Sequence, residues 1–183
     1  MRQYRALPAG RPRSQYNMVE GRGVEQEVGA LLYGLVRMVK PIVCIETGTF
    51  VGDSAEWIGR ALRDNGTGRL ITCDIDPERI APARERFLDL PMVDVVQISG
   101  QDLLASRTSP MDFVHIDSGD PNVREKELMS LGDHNISPGG IVCWHDACVS
   151  YQNMYGSFAA AHDWPHLVLP SVVGFAIFQR PTE

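Results

Sequence analysis

Residues 44–58, CIETGTFVGDSAEWI, join a strand-like run of residues to a helix-like one. The run that enters the junction, residues 42–45, is continuous and β-type, as is typical of a strand covered on both faces. Beyond the junction, apolar residues recur at helical spacing until Asn65-Gly66, which predicts a helix from about 53 to 64. Asp53 and Glu56 have the spacing of a capping box at its start. The junction therefore turns a buried strand directly into a helix, with two glycines and an acid around the turn.

The same alternation of strand-like and helix-like segments continues in both directions. Upstream, apolar residues at helical spacing predict a helix from about 24 to 39. A helix after the second strand is predicted to begin at Pro82, since proline is favoured at the first helical position. The last two β-type runs lie too close together for a crossover helix, which predicts an antiparallel hairpin. Beyond the first strand, the predicted strands are residues 69–74, 93–98, 111–117, 139–146, 166–169 and 174–179.

This order of segments predicts an α/β fold, a Rossmann-like doubly wound sheet of seven strands, mostly parallel with a C-terminal antiparallel hairpin. A length of 183 residues with 44% hydrophobic side chains suits one domain. Residues 1–22 contain five arginines and one glutamate and are predicted to form a flexible basic arm, with residues 23–183 as the single domain. The domain then holds 12 basic against 22 acidic residues, which argues against a nucleic-acid partner.

The sequence also bears on location. Its apolar runs are far shorter than the ~18 residues that a membrane span needs, and the N-terminus lacks the apolar centre of a secretory signal. The four cysteines show neither a C-x-x-C pair nor zinc-ligand spacing, so buried free thiols are expected. We therefore expect a cytoplasmic protein that does not engage a membrane.

Polar or glycine residues follow five successive strands near the point where each strand ends. The carboxyl ends of parallel strands meet at one edge of a doubly wound sheet, and ligands bind outside that edge. Acids at successive strand ends are harder to explain by turn or cap chemistry than by a shared ligand site. The residues are Glu46, Gly48 and Gly52 after the first strand, Asp74 after the second, Gln101 and Asp102 after the third, Asp117 after the fourth, and His145 and Asp146 after the fifth.

The glycine pattern at residues 46–52 indicates the kind of cofactor. A dinucleotide site requires G-x-G-x-x-G, so that backbone amides can approach a pyrophosphate. Here E-T-G-T-F-V-G has two glycines and an acid, Glu46, which would repel a pyrophosphate and attract an ammonium or sulfonium group. Asp74 lies 26 residues beyond Gly48, where an acid can accept both hydroxyls of a ribose. The combination favours a positively charged adenosyl cofactor, with a nicotinamide-dependent oxidoreductase as the alternative.

Five motifs in this order resemble those of the class I S-adenosylmethionine-dependent methyltransferases. The resemblance covers about residues 24–180, and within the class it is nearest to the small-molecule O-methyltransferases related to catechol O-methyltransferase. It implies in-line methyl transfer to the hydroxyl of a small-molecule acceptor, at an open acceptor site or one completed in a homodimer. The motifs are E-x-G-x-x-x-G at 46–52, ITCDIDPER at 71–79, GQD at 100–102, DFVHIDSGD at 112–120 and PGGIVCWHD at 138–146.

The resemblance also implies a role for each matching position at the cofactor site. Asp74 would bind the ribose, Ile75 would pack near the adenine, and Gln101 or Asp102 would address the adenine edge. Asp102 has a helix N-cap as its competing explanation. Ser54 could bond the cofactor's carboxylate, which a helix N-terminus also favours. Gly48, Gly52, Glu46 and Thr49 would surround the methionine part, and Asp117 would border the same site.

The chemistry implied by the resemblance leaves two routes open. In the catechol-type branch, a divalent metal bound by three strand-end residues activates the hydroxyl; Asp117 and Asp146 match two of these ligands, whereas the third position is Ala147. Two carboxylates can still hold Mg²⁺ with several waters, because that ion keeps much of its hydration shell. Alternatively, His145 could act as general base, or be a structural imidazole. The break at Ala147 also leaves open a module that binds the cofactor without catalysis.

Overall fold

The structure is a computed structural model that describes residues 23–147, 152–171 and 173–183, with the backbone alone at 152–155. The predicted basic arm 1–22 and Cys148 lie outside the described residues. Seven strands form one sheet in the order β3-β2-β1-β4-β5-β7-β6, in which β1 to β5 are parallel and β7 is antiparallel to both neighbours. The predicted Rossmann-like sheet with its antiparallel C-terminal pair is confirmed. The strands are β1 Val43–Thr47, β2 Arg69–Asp74, β3 Val93–Gln97, β4 Met111–Ile116, β5 Ile136–His145, β6 His166–Leu169 and β7 Phe175–Gln179.

Within the described ranges, six helices surround this sheet, and two of them differ in detail from the sequence prediction. The predicted start of α3 at Pro82 is wrong, because Asp76 caps the helix by accepting the Glu78 N–H and Pro77 takes the first helical position. The predicted capping box of α2 is also wrong, since the N-cap is Gly52, which has no side chain with which to cap the helix. The helices are α1 Gln26–Val39, α2 Asp53–Asn65, α3 Pro77–Arg86, α4 Gly100–Ala105, α5 Pro121–Met129 and α6 Gln152–His162.

Each face of the sheet is buried under its own group of helices. Adjacent strand residues alternate between the two faces, so that Cys44 packs into the core beneath α1, α2 and α3 and Ile45 into the core beneath α4, α5 and α6. Strands covered on both sides account for the continuous apolar runs in the sequence. No helix among the described residues has the length and apolar character to cross a membrane.

The order of the strands determines where a ligand can bind. β1 is paired with β2 on one side and with β4 on the other, so the chain reverses its direction of winding between β1 and β4. In doubly wound sheets the crevice for a ligand opens at the carboxyl ends of the strands next to such a reversal. The predicted site residues lie near or shortly after the ends of β1 to β5, at this edge.

Candidate active site

A cleft of about 760 Å³ opens at the carboxyl edge of the sheet. This volume lies within the range of about 300–1,000 Å³ that is typical of small-molecule sites. Three of the predicted site residues do not line it, namely Glu46, Gly52 and Asp102. The predicted residues that do line it are Gly48, Thr49, Ser54, Asp74, Ile75, Gln101, Asp117, His145 and Asp146.

The turn between β1 and α2 forms the floor of the cleft. Gly48 has a φ of +84°, and a Cβ there would lie 2.4 Å from the carbonyl oxygen of Asp117. The N–H groups of Gly48 and Thr49 both donate to the carbonyl oxygen of Cys73, at 2.9 and 2.8 Å. Glycine at position 48 is therefore required by the close approach of the chain that leaves β4, which tightens the end of three neighbouring strands.

Glu46 is inside β1 and is fully buried, which differs from its predicted position beside the cofactor. Its Oε2 accepts the Thr72 hydroxyl at 2.7 Å, and its Oε1 lies 3.1 Å from Nδ1 of His115. Thr49 joins the same chain of hydrogen bonds through the Thr72 hydroxyl, at 2.7 Å. The carboxylate thus supports the cleft wall from behind. Because it does not reach the cleft, it cannot repel a pyrophosphate by direct contact, contrary to the sequence prediction.

The ribose candidate, Asp74, ends β2 with its carboxylate facing the cleft and held from three sides. Its Oδ2 accepts the Phe50 N–H at 2.9 Å, and its Oδ1 accepts the Asp76 N–H at 3.0 Å. Arg79 donates to Oδ2 at 3.2 Å, and its guanidinium lies 4.8 Å from the centre of the Phe50 ring. The next residue, Ile75, is 71% exposed on the cleft wall, where a flat apolar group could pack against it.

The predicted alternative between Gln101 and Asp102 is separated by position. Ser99 is the N-cap of α4 and accepts the Asp102 N–H at 3.1 Å. The Asp102 carboxylate in turn accepts the Ser99 hydroxyl at 2.6 Å, so this side chain is part of the helix start. Gln101 lines the cleft, which leaves it as the polar side chain of this pair that a ligand can reach.

The opposite end of the cleft is a cluster of charged side chains around His145. Its Nδ1 lies 3.1 Å from Oδ1 of Asp117, and its Nε2 lies 2.8 Å from Oε2 of Glu25, the N-cap of α1. Arg124 of α5 donates to Oδ2 of Asp146 and to the carbonyl oxygen of His145, the latter at 3.4 Å. The same guanidinium nitrogen is 3.7 Å from Oδ1 of Asp117. The cluster therefore contains three carboxylates and two cationic or potentially cationic groups.

These contacts shift the ionisation of the cluster. Burial lowers the pKa of His145, but the charges and hydrogen bonds of Asp117 and Glu25, together with Asp146, outweigh it and raise that pKa well above its usual value. Burial raises the pKa of Asp117 and of Glu25, and in both cases the charge and hydrogen bond of His145 outweigh it, so that both pKa values are lowered. The two carboxylates at its ring nitrogens therefore favour the imidazolium form of His145, which donates from both nitrogens.

Backbone geometry places His145 and Asp146 on the same side, although adjacent strand residues point to opposite faces. β5 ends at His145, and Asp146 has a φ of +60°, in the left-handed region that aspartate tolerates better than most residues. The chain turns there, and the N–H of Ala147 donates to the carbonyl oxygen of Gly174 at 3.0 Å. Ala147 is 4% exposed in the apolar core, so the third position of the expected metal-ligand set does not face the cleft.

Sequence reasoning missed three charged residues of this site. Glu25 and Arg124 reach the cluster from helices, and Arg79 covers Asp74 from α3. Glu25 is 120 residues from its histidine partner, and its one local signal is an acid at the start of a helix. Arg124 follows Asp120 by four residues on a helix with mixed charge, a pattern typical of a solvated face.

Two mycobacterial proteins named as O-methyltransferases are similar to part of this chain. A "Probable O-methyltransferase" of Mycobacterium tuberculosis is 29% identical over 131 residues, which are 69% of this chain and 57% of that protein. A protein of Mycobacterium sp. (strain JLS), also named as an O-methyltransferase, has the same identity over 69% of this chain and 58% of its own length. The chain thus spans less than two thirds of the curated relatives it matches.

Solved structures show the same fold at low sequence identity. An O-methyltransferase from Streptomyces achromogenes, solved with S-adenosylmethionine, superposes with a TM-score of 0.70 at 22% identity, over 87% of this chain and 82% of that chain. One from Bacillus cereus, solved with S-adenosylhomocysteine, gives a TM-score of 0.67 at 20% identity, over 86% and 82% of the two chains.

A family model described as a methyltransferase domain matches residues 45–147, from the strand before the glycine turn to the residue after the charged cluster. The match contains the turn, Asp74, Gln101, Asp117 and the His145-Asp146 pair in sequence order. The resemblance to the class I S-adenosylmethionine-dependent O-methyltransferases is confirmed by this match together with the relatives and solved structures above. With more than half of its length covered by that model, the chain belongs to the methyltransferase-domain family.

Proposed function

We propose that the protein transfers the methyl group of S-adenosylmethionine to the hydroxyl of a small-molecule acceptor. The observation that carries the proposal is one cleft with an acid suited to a ribose, Asp74, at one end and a charged cluster with a net negative charge at the other. In that cluster, Glu25, Asp117 and Asp146 are opposed by Arg124 and the His145 imidazolium. Three negative charges against two positive ones leave a single negative charge for a sulfonium to balance.

The charges on the cleft wall support this cofactor over a dinucleotide. Opposite unit charges about 4 Å apart attract by about 4 kcal/mol at an effective dielectric of ~20, and like charges repel by as much. Among the described residues, the lining carries seven acidic side chains against two cationic ones, Arg79 and the His145 imidazolium. A sulfonium gains from this field, whereas the pyrophosphate of a nicotinamide cofactor and the phosphates of a nucleic acid are disfavoured. The same field supports a small-molecule acceptor without phosphate groups.

The positions of the lining residues suggest how the cofactor would lie. Asp74 would accept the ribose hydroxyls, with Ile75 and Gln101 flanking the adenine. The amino acid end would approach the turn at Gly48 and Thr49, with its carboxylate toward Ser54. Ser54 is 5% exposed at the start of the 13-residue helix α2, where unpaired backbone N–H groups favour an anion. The sulfonium would then lie between this turn and the charged cluster.

Methyl transfer itself needs alignment and removal of one proton. The acceptor oxygen attacks the methyl carbon, the carbon–sulfur bond breaks with its electron pair remaining on sulfur, and the hydroxyl proton leaves the acceptor. His145 is a poor general base in this arrangement, since both of its ring nitrogens already lie at hydrogen-bond distance from carboxylates. Asp146 is the better candidate, because its side chain is 29% exposed at the cleft and Arg124 holds Oδ2, which leaves Oδ1 to accept the proton.

The residues present do not fit a bound Mg²⁺ in this arrangement. Ligand atoms of Asp117, His145 and Asp146 lie within 4.8 Å of one another, which is close enough for a common ion. However, Nδ1 of His145 is occupied by Asp117, and the Arg124 guanidinium binds the Asp146 carboxylate where a cation would compete with it. The third expected ligand position is the buried Ala147. As arranged, the site therefore offers a divalent ion no complete set of free ligands.

The cofactor part of the proposal is tested by calorimetric titration of S-adenosylhomocysteine into the Asp74→Asn variant. The substitution removes the charge that would bind the ribose, and charge-assisted hydrogen bonds are worth about 1.5–3 kcal/mol. The affinity should therefore fall by about tenfold to a hundredfold. Asp89→Asn changes an exposed acid away from the cleft and serves as the matched control, with unchanged affinity expected. Equal affinity of the two variants would contradict the assigned role of Asp74.

The reaction part is tested with S-adenosylmethionine carrying a ¹³C-labelled methyl group. Incubated with a panel of phenols and alcohols, the protein should produce methyl resonances at the chemical shift of an O-methyl group. The signal should be lost or strongly reduced in Asp146→Asn and retained in Asp89→Asn. Label on nitrogen or carbon atoms of any acceptor tested would overturn the O-methyl assignment. Cofactor binding without transfer to any member of the panel would favour the non-catalytic binding module.

A further inference from the structure

Arg124 is a buried cation directly behind the acceptor end of the cleft. It is 5% exposed, in α5, and it does not line the cleft. Its guanidinium binds Oδ2 of Asp146, the carbonyl oxygen of His145 and, at 3.7 Å, Oδ1 of Asp117. One side chain thus links the acids that follow β4 and β5. A buried guanidinium needs anionic partners of this kind, because an unpaired buried charge is strongly destabilising.

A divalent ion between Asp117 and Asp146 would have to compete with the positive charge that Arg124 already places beside both carboxylates. Mg²⁺ binds oxygens at about 2.0–2.1 Å, so an ion held by these two carboxylates would lie close to the fixed guanidinium and be repelled by its charge. The side chains of Asp117 and Asp146 are 22% and 29% exposed, and each already has a cationic partner. Ala147, which follows them, has its N–H bonded to Gly174 and its side chain in the apolar core.

We propose that Arg124 is a built-in substitute for a divalent cation, which positions Asp117 and Asp146 at the acceptor end and makes methyl transfer independent of metal. The metal-independent methyl transfer rests on the proposed function, whereas the ion binding predicted from Arg124 does not. Arg124 is a positioning residue, since it reaches the cleft through the two acids. Arginine suits the task because its guanidinium is permanently charged, and here its Nη1 faces both carboxylates.

The proposal predicts that removal of the arginine creates an ion site. Arg124→Gln removes the fixed cation from two neighbouring carboxylates. The glutamine side chain fills much of the volume of the arginine. Mn²⁺ is the probe, since it binds oxygen ligands and is followed directly by electron paramagnetic resonance. We expect no saturable binding of Mn²⁺ to the wild-type protein. In Arg124→Gln we expect one saturable site, with an affinity at least about tenfold higher than any residual binding to the wild type. The double variant Arg124→Gln, Asp146→Asn should lose this site again.

The matched control is Arg69→Gln, which frees an exposed carboxylate elsewhere. Arg69 pairs with Asp94 at 2.7 Å near the starts of β2 and β3, at the edge of the sheet opposite the cleft, and the two side chains are 64% and 47% exposed. This variant should bind no more Mn²⁺ than the wild type. Circular dichroism and titration with S-adenosylhomocysteine establish that each variant is folded. If Arg124→Gln does not fold, Arg124→Lys provides the second test, with a shorter cation that should still exclude the ion.

Two results would overturn the proposal. One is saturable Mn²⁺ binding to the wild type that Asp146→Asn abolishes, which would show that an ion and the arginine coexist. The other is a folded Arg124→Gln or Arg124→Lys variant that departs from its expected behaviour, by binding no ion or by binding one, respectively. These outcomes are independent of the proposed function, which fails separately if the wild type does not bind S-adenosylhomocysteine.

Discussion

Glu25 connects the N-terminus of α1 to the charged cluster, and its replacement by glutamine tests the electrostatics of that cluster. The Glu25 carboxylate is fully buried and accepts from Nε2 of His145 at 2.8 Å. Glutamine keeps an acceptor oxygen of similar reach but removes the charge. Hydrogen bonds to charged groups contribute about 1.5–3 kcal/mol and neutral ones about 0.5–1.5 kcal/mol. Glu25→Gln should therefore lower the free energy of unfolding by about 1–2 kcal/mol at pH 7.

The same substitution should lower the pKa of His145 toward its usual value. Since about 1.4 kcal/mol corresponds to one pKa unit, the expected decrease is about one unit. The sign of the pH dependence follows from the two shifts. The lowered pKa of Glu25 contributes stability at pH values above about 4.5, the ordinary pKa of a glutamate, and this stability is lost in acid. The raised pKa of His145 contributes stability that is lost as the pH rises through that raised pKa. The wild type should exceed the variant in stability most clearly between those limits.

Two measurements check this prediction. Urea denaturation at a series of pH values gives the free energy of unfolding, and NMR titration of the histidine Cε1–H signals gives the pKa of His145. Glu27→Gln, an exposed acid in the same turn of α1, is the matched control and should change stability by less than about 0.5 kcal/mol. Equal stability of the two variants, or an unchanged titration of His145 in Glu25→Gln, would refute the assigned ion pair.

Two further predictions concern the backbone and the thiols. Gly48→Ala should lower the free energy of unfolding by about 1–3 kcal/mol or more, because its φ is +84° and its Cβ would lie 2.4 Å from a carbonyl oxygen. In Gly66→Ala, φ is +69° but the space is open, so urea denaturation should give a smaller loss; the reverse order would contradict the close approach at the first strand. Burial raises the pKa of Cys44, Cys73 and Cys143, so a coloured thiol reagent should modify at most one of the four cysteines before unfolding, and a higher native count would contradict the buried strands.

The fold could be predicted because its signals are local in the sequence. Each strand covered on both faces is a short apolar run, and each helix has its own spacing and stop signal. The two errors at helix starts have local causes as well. Asp76-Pro77 is a complete N-terminal signal, and it determines the start of α3 even though Pro82 then lies inside the helix without an N–H to donate. Asp53 binds Arg86 at 2.7 Å across to α3, a contact that a local capping pattern does not include.

The candidate site could be predicted only where strand ends determine it. Asp74, Asp117, His145 and Asp146 lie at the carboxyl edge because parallel strands bring their ends together there. The sequence predicted Glu46 beside the cofactor. In the structure, β1 continues through Thr47 and keeps the Glu46 carboxylate inside the sheet.

The charge state of the cluster was beyond the sequence. It depends on Glu25 and Arg124, which reach His145 and Asp146 from helices that are 120 and 22 residues away along the chain. Neither residue type nor spacing identifies such pairs. Their presence changes the expected chemistry, because the histidine that looked suited to accept a proton is held as a donor on both sides.

Calorimetric titration of the wild-type protein with S-adenosylhomocysteine and, separately, with NAD tests the central claim most directly. The claim is that the cleft beside the glycine turn holds an adenosyl cofactor of the methyltransferase type. We predict saturable binding of one S-adenosylhomocysteine per chain and no binding of NAD at the same concentrations. Binding of NAD with no binding of S-adenosylhomocysteine would contradict the account.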